Sequence, residues 1–302
     1  MGEDTYHSFS TKPPVDEKYK VLEIKATNSN EDKDSDPFLP RHPFFMLAIG
    51  PRYTGKSNAT LDMILNKFGP GYWDNIIVYC KTIDDDNKWD HLRVVLDERN
   101  LRTEYSQEQL TVDYHKIADC KARNPNFRTL LVFDDMIGDG LRSSAGGAQD
   151  PLSKFAAMGR HKNCDVVVTS QYYRALGPTV RTNCTNLLIF NQTNGKEIEK
   201  LIDENRGLLL AKEFRALLKA VVVGKDINNT KERPFLHVNN QRDVHERFTK
   251  NWDQQIVIKE EGGKTKIDLE APPEKGVEEK ELDVSEGEFE SCSDDDKEND
   301  KD

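Results

Sequence analysis

The chain has little cysteine and none of it is paired by spacing. Five cysteines (Cys80, Cys120, Cys164, Cys184 and Cys292) occur among 302 residues without a C-x-x-C pair, and the seven histidines are scattered. This argues against a disulfide framework or a zinc site and for a reducing compartment. No apolar run approaches the ~20 residues of a membrane span. No signal peptide precedes the first motif, so a soluble intracellular protein is expected. No internal repeat is present. Excess positive charge is also missing, since the formal net charge is −11. Its distribution matters more than its sum. From Lys259 to Asp302 there are 18 acidic and 7 basic residues, which leaves 36 of each sign in positions 1–258. The folded part is therefore expected to be neutral, with the acidity in a tail. Such a tail, poor in apolar residues, is expected to be disordered. Ser285, Ser291 and Ser293 in it suit an acid-directed kinase, or the tail simply aids solubility.

What the chain does contain is a nucleotide-binding loop. Phe44 to Ile49 is an apolar run ending at Gly50, and Gly50-Pro51-Arg52-Tyr53-Thr54-Gly55-Lys56-Ser57 fits the P-loop pattern G-x-x-x-x-G-K-[ST]. The two glycines let the backbone turn its N–H groups toward phosphate oxygens. Lys56 reaches the β- and γ-phosphates, and the Ser57 hydroxyl is a ligand for Mg²⁺. Asn58 opens a helical segment to Phe68, whose positive N-terminal dipole faces the phosphates. ATP and Mg²⁺ are the expected ligands. Arg52 is either a further cation near the γ-phosphate or a solvated loop residue.

Apolar runs alternate with helical patterns along the rest of the chain. Strands are expected at Val21–Ile24, Asn75–Tyr79, Thr129–Phe133, Asp165–Thr169, Asn186–Asn191, Ala220–Val223 and Phe235–Val238. Asn28–Pro37 reads as a linker. Helices are expected near Trp89–Glu98, Tyr114–Arg123, Asp150–Arg160, Lys196–Asn205 and Leu208–Leu218. Asp150-Pro151 supplies an N-cap and a first-turn proline. The class is α/β, with a central, mostly parallel sheet flanked by helices. The expected organisation is an N-terminal extension (1–40), one P-loop domain (41–258) and the acidic tail (259–302).

Three further constellations bear on hydrolysis. Leu130-Leu131-Val132-Phe133-Asp134-Asp135 ends a strand in two carboxylates about 78 residues beyond the P-loop lysine. Asp134 is the expected second ligand of Mg²⁺, and Asp135 the group that polarises the attacking water, although Glu is commoner there. The next strand ends in Ser170-Gln171. A polar side chain at that point reaches the γ-phosphate if its strand lies between the P-loop strand and the Asp134 strand. That insertion gives the core order 5-1-4-3-2 of the additional-strand class of P-loop NTPases, and makes Gln171 a sensor of hydrolysis. Third, Arg160 follows a helix in Met158-Gly159-Arg160-His161. It either meets that helix's dipole or acts as an arginine finger on a neighbouring subunit's γ-phosphate.

The run AAMGRHKNCDVVVTSQ, after VFDDM and before VRTNCTNLLIF, resembles the genome-packaging ATPases of large eukaryotic DNA viruses of the poxvirus type. That family is similar to the FtsK/HerA group of DNA pumps and to phage packaging motors. The resemblance covers about Phe44 to Asn205. It implies a homo-oligomeric ring that hydrolyses ATP between subunits and drives double-stranded DNA into a preformed capsid. It also implies a capsid, portal or membrane component as partner, and action at the site of virion assembly in an infected cell, or in the virion itself. By resemblance Lys56 and Ser57 bind phosphates and metal, Asp134 and Asp135 form the second motif, Gln171 senses hydrolysis, and Arg160 is the finger in trans with Arg181 as runner-up. Two other functions share these motifs: a DNA pump or helicase outside packaging, and a nucleotide-gated scaffold with little turnover.

A pump grips the DNA backbone rather than base edges. The Gly138–Gln149 loop follows Asp135 closely and offers Arg142, Ser143 and Ser144 for this, either as a pore loop or as a plain surface loop. Arg142→Glu is expected to abolish DNA-stimulated ATP hydrolysis; stimulation that persists in a coupled ATPase assay removes the pore role.

Overall fold

A computed structural model gives the structure of the chain, and it describes residues 36–84, 87–93, 96, 100–136, 151–222, 233–243, 246–261, 264–270 and 281–282. The expected Val21–Ile24 strand, most of the Asn28–Pro37 linker and the Asp150 cap lie outside these residues.

The fold is organised by strands too apolar to face water on either side. β1 (Phe45–Ile49), β2 (Asn75–Cys80), β3 (Leu101–Arg102), β4 (Thr129–Asp134), β5 (Cys164–Ser170) and β6 (Asn186–Ile189) form parallel pairs. Every residue of β1, β4, β5 and β6 is buried, as expected of a parallel sheet covered on both faces. Side chains alternate between the faces. Phe45, Leu47 and Ile49 of β1 join one core, while Phe44, Met46 and Ala48 join the other. The first core is closed by α3 (Gln107–Arg123), α4 (Pro151–Met158), α5 (Pro178–Thr182), α6 (Gly195–Asn205) and α7 (Ala211–Val222). The second is closed by α1 (Lys56–Asp62), which widens into a π-helical turn over Met63–Phe68, and by the short α2 (Asp90–Arg93).

In the full sheet the order is β11-β10-β9-β8-β7-β6-β1-β5-β4-β2-β3. Numbering only the five core strands, β6-β1-β5-β4-β2 is the expected 5-1-4-3-2. The sheet extends beyond that core on both sides. β3 is a two-residue edge, and β7 (Leu236–Asn239), β8 (Phe248–Lys250), β9 (Gln254–Glu261), β10 (Lys264–Glu270) and β11 (Glu281–Leu282) add an antiparallel wing.

Several expectations need correction. Ala220–Val223 is not a strand, because α7 runs to Val222. Its valines look β-like, but Phe214, Leu217, Leu218, Val221 and Val222 are buried at helical spacing and continue one apolar stripe. α3 starts seven residues before Tyr114, at a Ser106 cap whose side chain accepts from Gln109 N at 3.1 Å. Ser-x-x-Gln is a capping-box signature. Around Trp89 the described residues form a 3₁₀ turn (Asn87–Trp89) and one turn of α2, with Leu96 N donating to Leu92 O at 2.8 Å; residues 94–95 and 97–99 lie outside them. The boundary at 258 falls inside β9, and regular structure continues in β10 and β11. The missed signal is Gly262-Gly263 between two alternating runs, a hairpin dipeptide hidden in a charged composition.

One buried histidine sits at the junction of core and wing. His237 of β7 is fully buried, with Nε2 at 2.8 Å from Asn186 Oδ1 of β6 and Nδ1 at 3.2 Å from Thr249 Oγ1 of β8. Burial, aided by the nearby Arg242 charge, lowers its pKa to about 3. Between about pH 6.5 and 3 the unfolded chain therefore binds a proton that the folded chain refuses. The group contributes stability above that window and loses it as pH falls through it. The expected outcome is an acid limb that flattens in His237→Gln by up to about 1.4 kcal/mol per pH unit, read from urea unfolding at stepped pH.

Candidate active site

The parallel register brings strand ends level at one edge of the sheet. Ile49 stands opposite Ser170, and Asp134 opposite Thr169. Gly50 N donates to Ser170 O at 3.1 Å, which ties the start of the P-loop to the end of β5. A methyl group on Gly50 would come within 2.6 Å of Phe190 Cβ and 2.7 Å of Thr54 Oγ1. Only glycine fits there. Gly55 has φ of 101°, in the left-handed region that an L side chain rarely adopts. Thr54 Oγ1 donates to Pro51 O at 2.9 Å and braces the loop from within. Arg52 and Tyr53 point outward, Tyr53 being 87% exposed with φ of 63°.

Lys56 is buried and folds over the loop, donating to the carbonyls of Gly50 at 2.8 Å and Pro51 at 2.9 Å. Burial lowers its pKa, against the opposing pull of the Asp135 and Asp134 carboxylates. The Ser57 hydroxyl is shared between both oxygens of Asp134, each at 2.9 Å. Asp134, 4% exposed, also accepts from Thr169 Oγ1 at 2.7 Å. Thr169 Oγ1 in turn accepts from Asp135 N at 3.0 Å. This holds Asp135 in a left-handed conformation, φ 54°, with its carboxylate turned toward Gln171. Gln171 Nε2 donates to Asp135 Oδ2 at 2.7 Å. Such backbone outliers concentrate where a side chain must be aimed.

Three groups at this edge had not been singled out in the sequence. Thr169 is a polar residue closing a Val-Val-Val run, and that break in an apolar strand was a readable signal. Cys80, at the end of β2, lies 3.7 Å from Asp134 Oδ2, and its proximity to the carboxylate adds to burial in raising its pKa to about 11. Lys88 Nζ lies 3.8 Å from the same oxygen. It comes from an aperiodic segment that no spacing rule connects to the P-loop.

The two arginines considered as fingers lie elsewhere. Arg160 is in the 3₁₀ turn Gly159–Lys162, which precedes β5. It therefore sits at the opposite edge from the P-loop, separated by the seven residues of β5, roughly 20 Å of strand. Arg160 is exposed, and among the described residues its side chain bonds only to His161. The turn is fixed: Lys121 Nζ donates to His161 O at 2.9 Å, and Lys162 Nζ lies 5.6 Å from the Tyr114 ring. Arg181, by contrast, is committed within the chain. It donates to Glu204 at 2.9 and 3.2 Å and to Leu176 O, and covers Tyr173. Burial alone would raise the pKa of Glu204, yet its bonds to Arg181 and Lys200 hold it at about 2. Arg142, Ser143 and Ser144 lie outside the described residues.

Against known families, a model described as Poxvirus A32 protein matches residues 33–264, well over half of the chain. The chain belongs to the poxvirus A32 protein family. The match takes in the P-loop, the Asp134-Asp135 pair, Gln171 and most of the antiparallel wing. No curated protein sequence matches this A32-family chain. Among solved structures it is similar to the genome packaging NTPase B204 from Sulfolobus turreted icosahedral virus 2 in complex with AMPPCP. That similarity has 10% identity and a TM-score of 0.50, and covers 69% of this chain and 97% of the other. B204, the DNA-packaging ATPase of Sulfolobus turreted icosahedral virus, gives 13% identity and 0.48 over 70% and 98%. The N-terminal domain of zonular occludens toxin from Neisseria meningitidis gives 15% and 0.33 over 51% and 79%. The likeness to the AMPPCP complex establishes a shared fold. By family and by its loop, the A32-family chain is a P-loop ATPase. Among its described residues, no helix is long and apolar enough to cross a membrane.

Thr169→Val removes the hydroxyl that donates to the Asp134 carboxylate and accepts from Asp135 N, while keeping side-chain shape. The expected result is a fall in kcat of about tenfold, the scale of one such hydrogen bond, with ATP affinity nearly unchanged. Steady-state hydrolysis and equilibrium nucleotide binding together check it.

Proposed function

We propose that this chain is the ATP-driven motor subunit that moves double-stranded DNA into a preformed viral capsid, working as a homo-oligomeric ring with ATP bound between subunits. The observation carrying this reading is the constellation Lys56, Ser57, Asp134, Asp135 and Gln171, gathered at one sheet edge of an A32-family chain. The B204 packaging NTPase, which shares the fold, supports the same reading.

Ser57 and Asp134 fit a magnesium ion. Both offer hard oxygen donors, already converged at 2.9 Å. Among the described residues no cluster of three His, Cys, Asp or Glu side chains could hold a metal ion. Bound there, magnesium would neutralise charge on the β- and γ-phosphates. Lys56 exchanges the Gly50 and Pro51 carbonyls for phosphate oxygens. Asp135 orients and polarises the attacking water, and Gln171, bonded to Asp135, registers loss of the γ-phosphate at the end of β5. Because β5 carries the Arg160 turn at its other end, a change at Gln171 has a direct mechanical route to the neighbouring subunit.

An arginine supplied in trans is part of this reading. No arginine bonds Asp134, Asp135 or Gln171 among the described residues, whereas Arg160 is exposed on a braced turn at the far edge. Arg181 is the weaker choice because Glu204 holds it. The DNA grip is assigned to Arg142, Ser143 and Ser144, and the acidic C-terminal residues suit a basic capsid or portal component. The protein would act in the infected cell at the site of virion assembly.

Mixing Arg160→Ala subunits with wild type tests the intersubunit site. Hydrolysis should fall more steeply than the mutant fraction, while Arg160→Ala alone loses about 10³-fold or more in kcat, the scale of an arginine finger. A fully active mutant, with linear behaviour in mixtures, would remove Arg160 from the reaction.

A further inference from the structure

Beside the P-loop a cavity of about 520 Å³ opens that no part of the hydrolytic constellation uses. It falls within the roughly 300–1,000 Å³ typical of small-molecule sites. One wall is a face of α1 presenting Gly55, Asn58, Ala59 and Asp62. The opposite wall comes from the antiparallel wing, through Arg233 and Phe235 before and within the approach to β7, and the turn between β8 and β9. The two walls touch at the P-loop itself. A methyl group on Gly55 would lie 3.0 Å from Arg233 Cβ and 3.2 Å from its Cδ, so the arginine stem lies across the loop.

The direction a nucleotide must take leads into this cavity. Lys56 and Ser57 hold the β- and γ-phosphate end, so the α-phosphate and sugar leave past the next residue, Asn58. Asn58 lines the cavity. The composition suits a flat heterocycle with a polar edge. Ala59, Phe235 and Trp252 make an apolar floor, with Trp252 set edge-on against Phe235 at 5.0 Å. The rim is polar. Asn251 Oδ1 accepts from Phe235 N at 3.1 Å, leaving the Asn251 amide hydrogens to donate. Asp62 and Asp253 contribute carboxyl oxygens. Arg233 is exposed and makes no hydrogen bond or ion pair among the described residues, so its guanidinium is available to lie on a ring face.

We propose that this cavity is the base subsite of the nucleotide and selects adenine. Arg233 covers the purine face, the Asn251 amide donates to a ring nitrogen, and Asp62 and Asp253 accept from the 6-amino group. Guanine would turn a 6-oxo acceptor toward those carboxylates, and a pyrimidine would leave part of the apolar floor uncovered. The subsite rests on the ATPase reading and adds the wing to the machinery: a core sheet ending at β6 would bind phosphates without reading a base.

The test uses the full chain, with hydrolysis of ATP, GTP and CTP and with magnesium tripolyphosphate as a competitor that has no base. Arg233→Ala is expected to raise KM for ATP about tenfold while changing tripolyphosphate inhibition by less than about twofold. Asp253→Asn should narrow the preference for ATP over GTP by about tenfold, one hydrogen bond's worth of discrimination. An unchanged KM in Arg233→Ala, or equal losses for ATP and tripolyphosphate, overturns the subsite; the second result would put Arg233 on the phosphates. Equal use of all three nucleotides by the wild type overturns it as well. If the wild type hydrolyses none of them, the ATPase reading fails separately, and equilibrium binding of ATP against tripolyphosphate still decides the subsite.

Discussion

A nearly buried carboxylate cannot stand without partners, and the shape of the catalytic edge follows from how Asp134 obtains them. Its hydroxyl donors are Ser57, beyond β1, and Thr169, at the end of β5, with the Cys80 thiol of β2 more distant. Those donors meet because β1, β5 and β4 are neighbours that run parallel and stop together. Antiparallel neighbours would send one of these ends to the far side of the sheet. The right-handed crossovers that parallel pairing demands then account for the helices on both faces, and so for the two cores. The inserted position of β5 is what places Thr169 against Asp134 and Gln171 against Asp135.

Charge at this edge is balanced within the chain. Lys56 and Asp134 are buried, where an unmatched charge is costly, and the half-exposed Lys88 and the exposed Asp135 lie beside them. A triphosphate adds several negative charges to that balance, and among the described residues no arginine bonds Asp134, Asp135 or Gln171. A bound divalent ion and the proposed arginine from another subunit would offset those charges. The same reasoning explains why Lys56 rests on two carbonyl oxygens: they are weaker partners than phosphate and are readily exchanged.

Where the chemistry follows local spacing, the sequence was informative. The P-loop, the acidic pair after an apolar strand and the glutamine closing the next strand all reach the same edge, and the core strand order follows from them. Legibility fails where partners are distant in the chain. Nothing near Lys88 says that it approaches Asp134, and nothing near Arg233 or Trp252 says that they wall a cavity against α1. In the wing, β7 was expected at Phe235–Val238, but the strands after it were not. β9 and β10, of eight and seven residues, are rich in charge, and that composition hid their strand pattern. α7 shows the reverse error, in which three β-branched residues outweighed a helical stripe that began at Phe214.

The placement of Arg160 and the P-loop at opposite ends of β5 makes any subunit contact that joins them directional, with a donor side and an acceptor side. Subunits joined this way form either a closed cycle or an open row. In an open row one terminal subunit always has a P-loop with no arginine supplied to it, and the other terminal subunit has an arginine with nothing to serve. Only closure removes both defects at once. Full turnover would then report that assembly is finished, so that a partial assembly on a stretch of genome idles at its open end until the last subunit arrives.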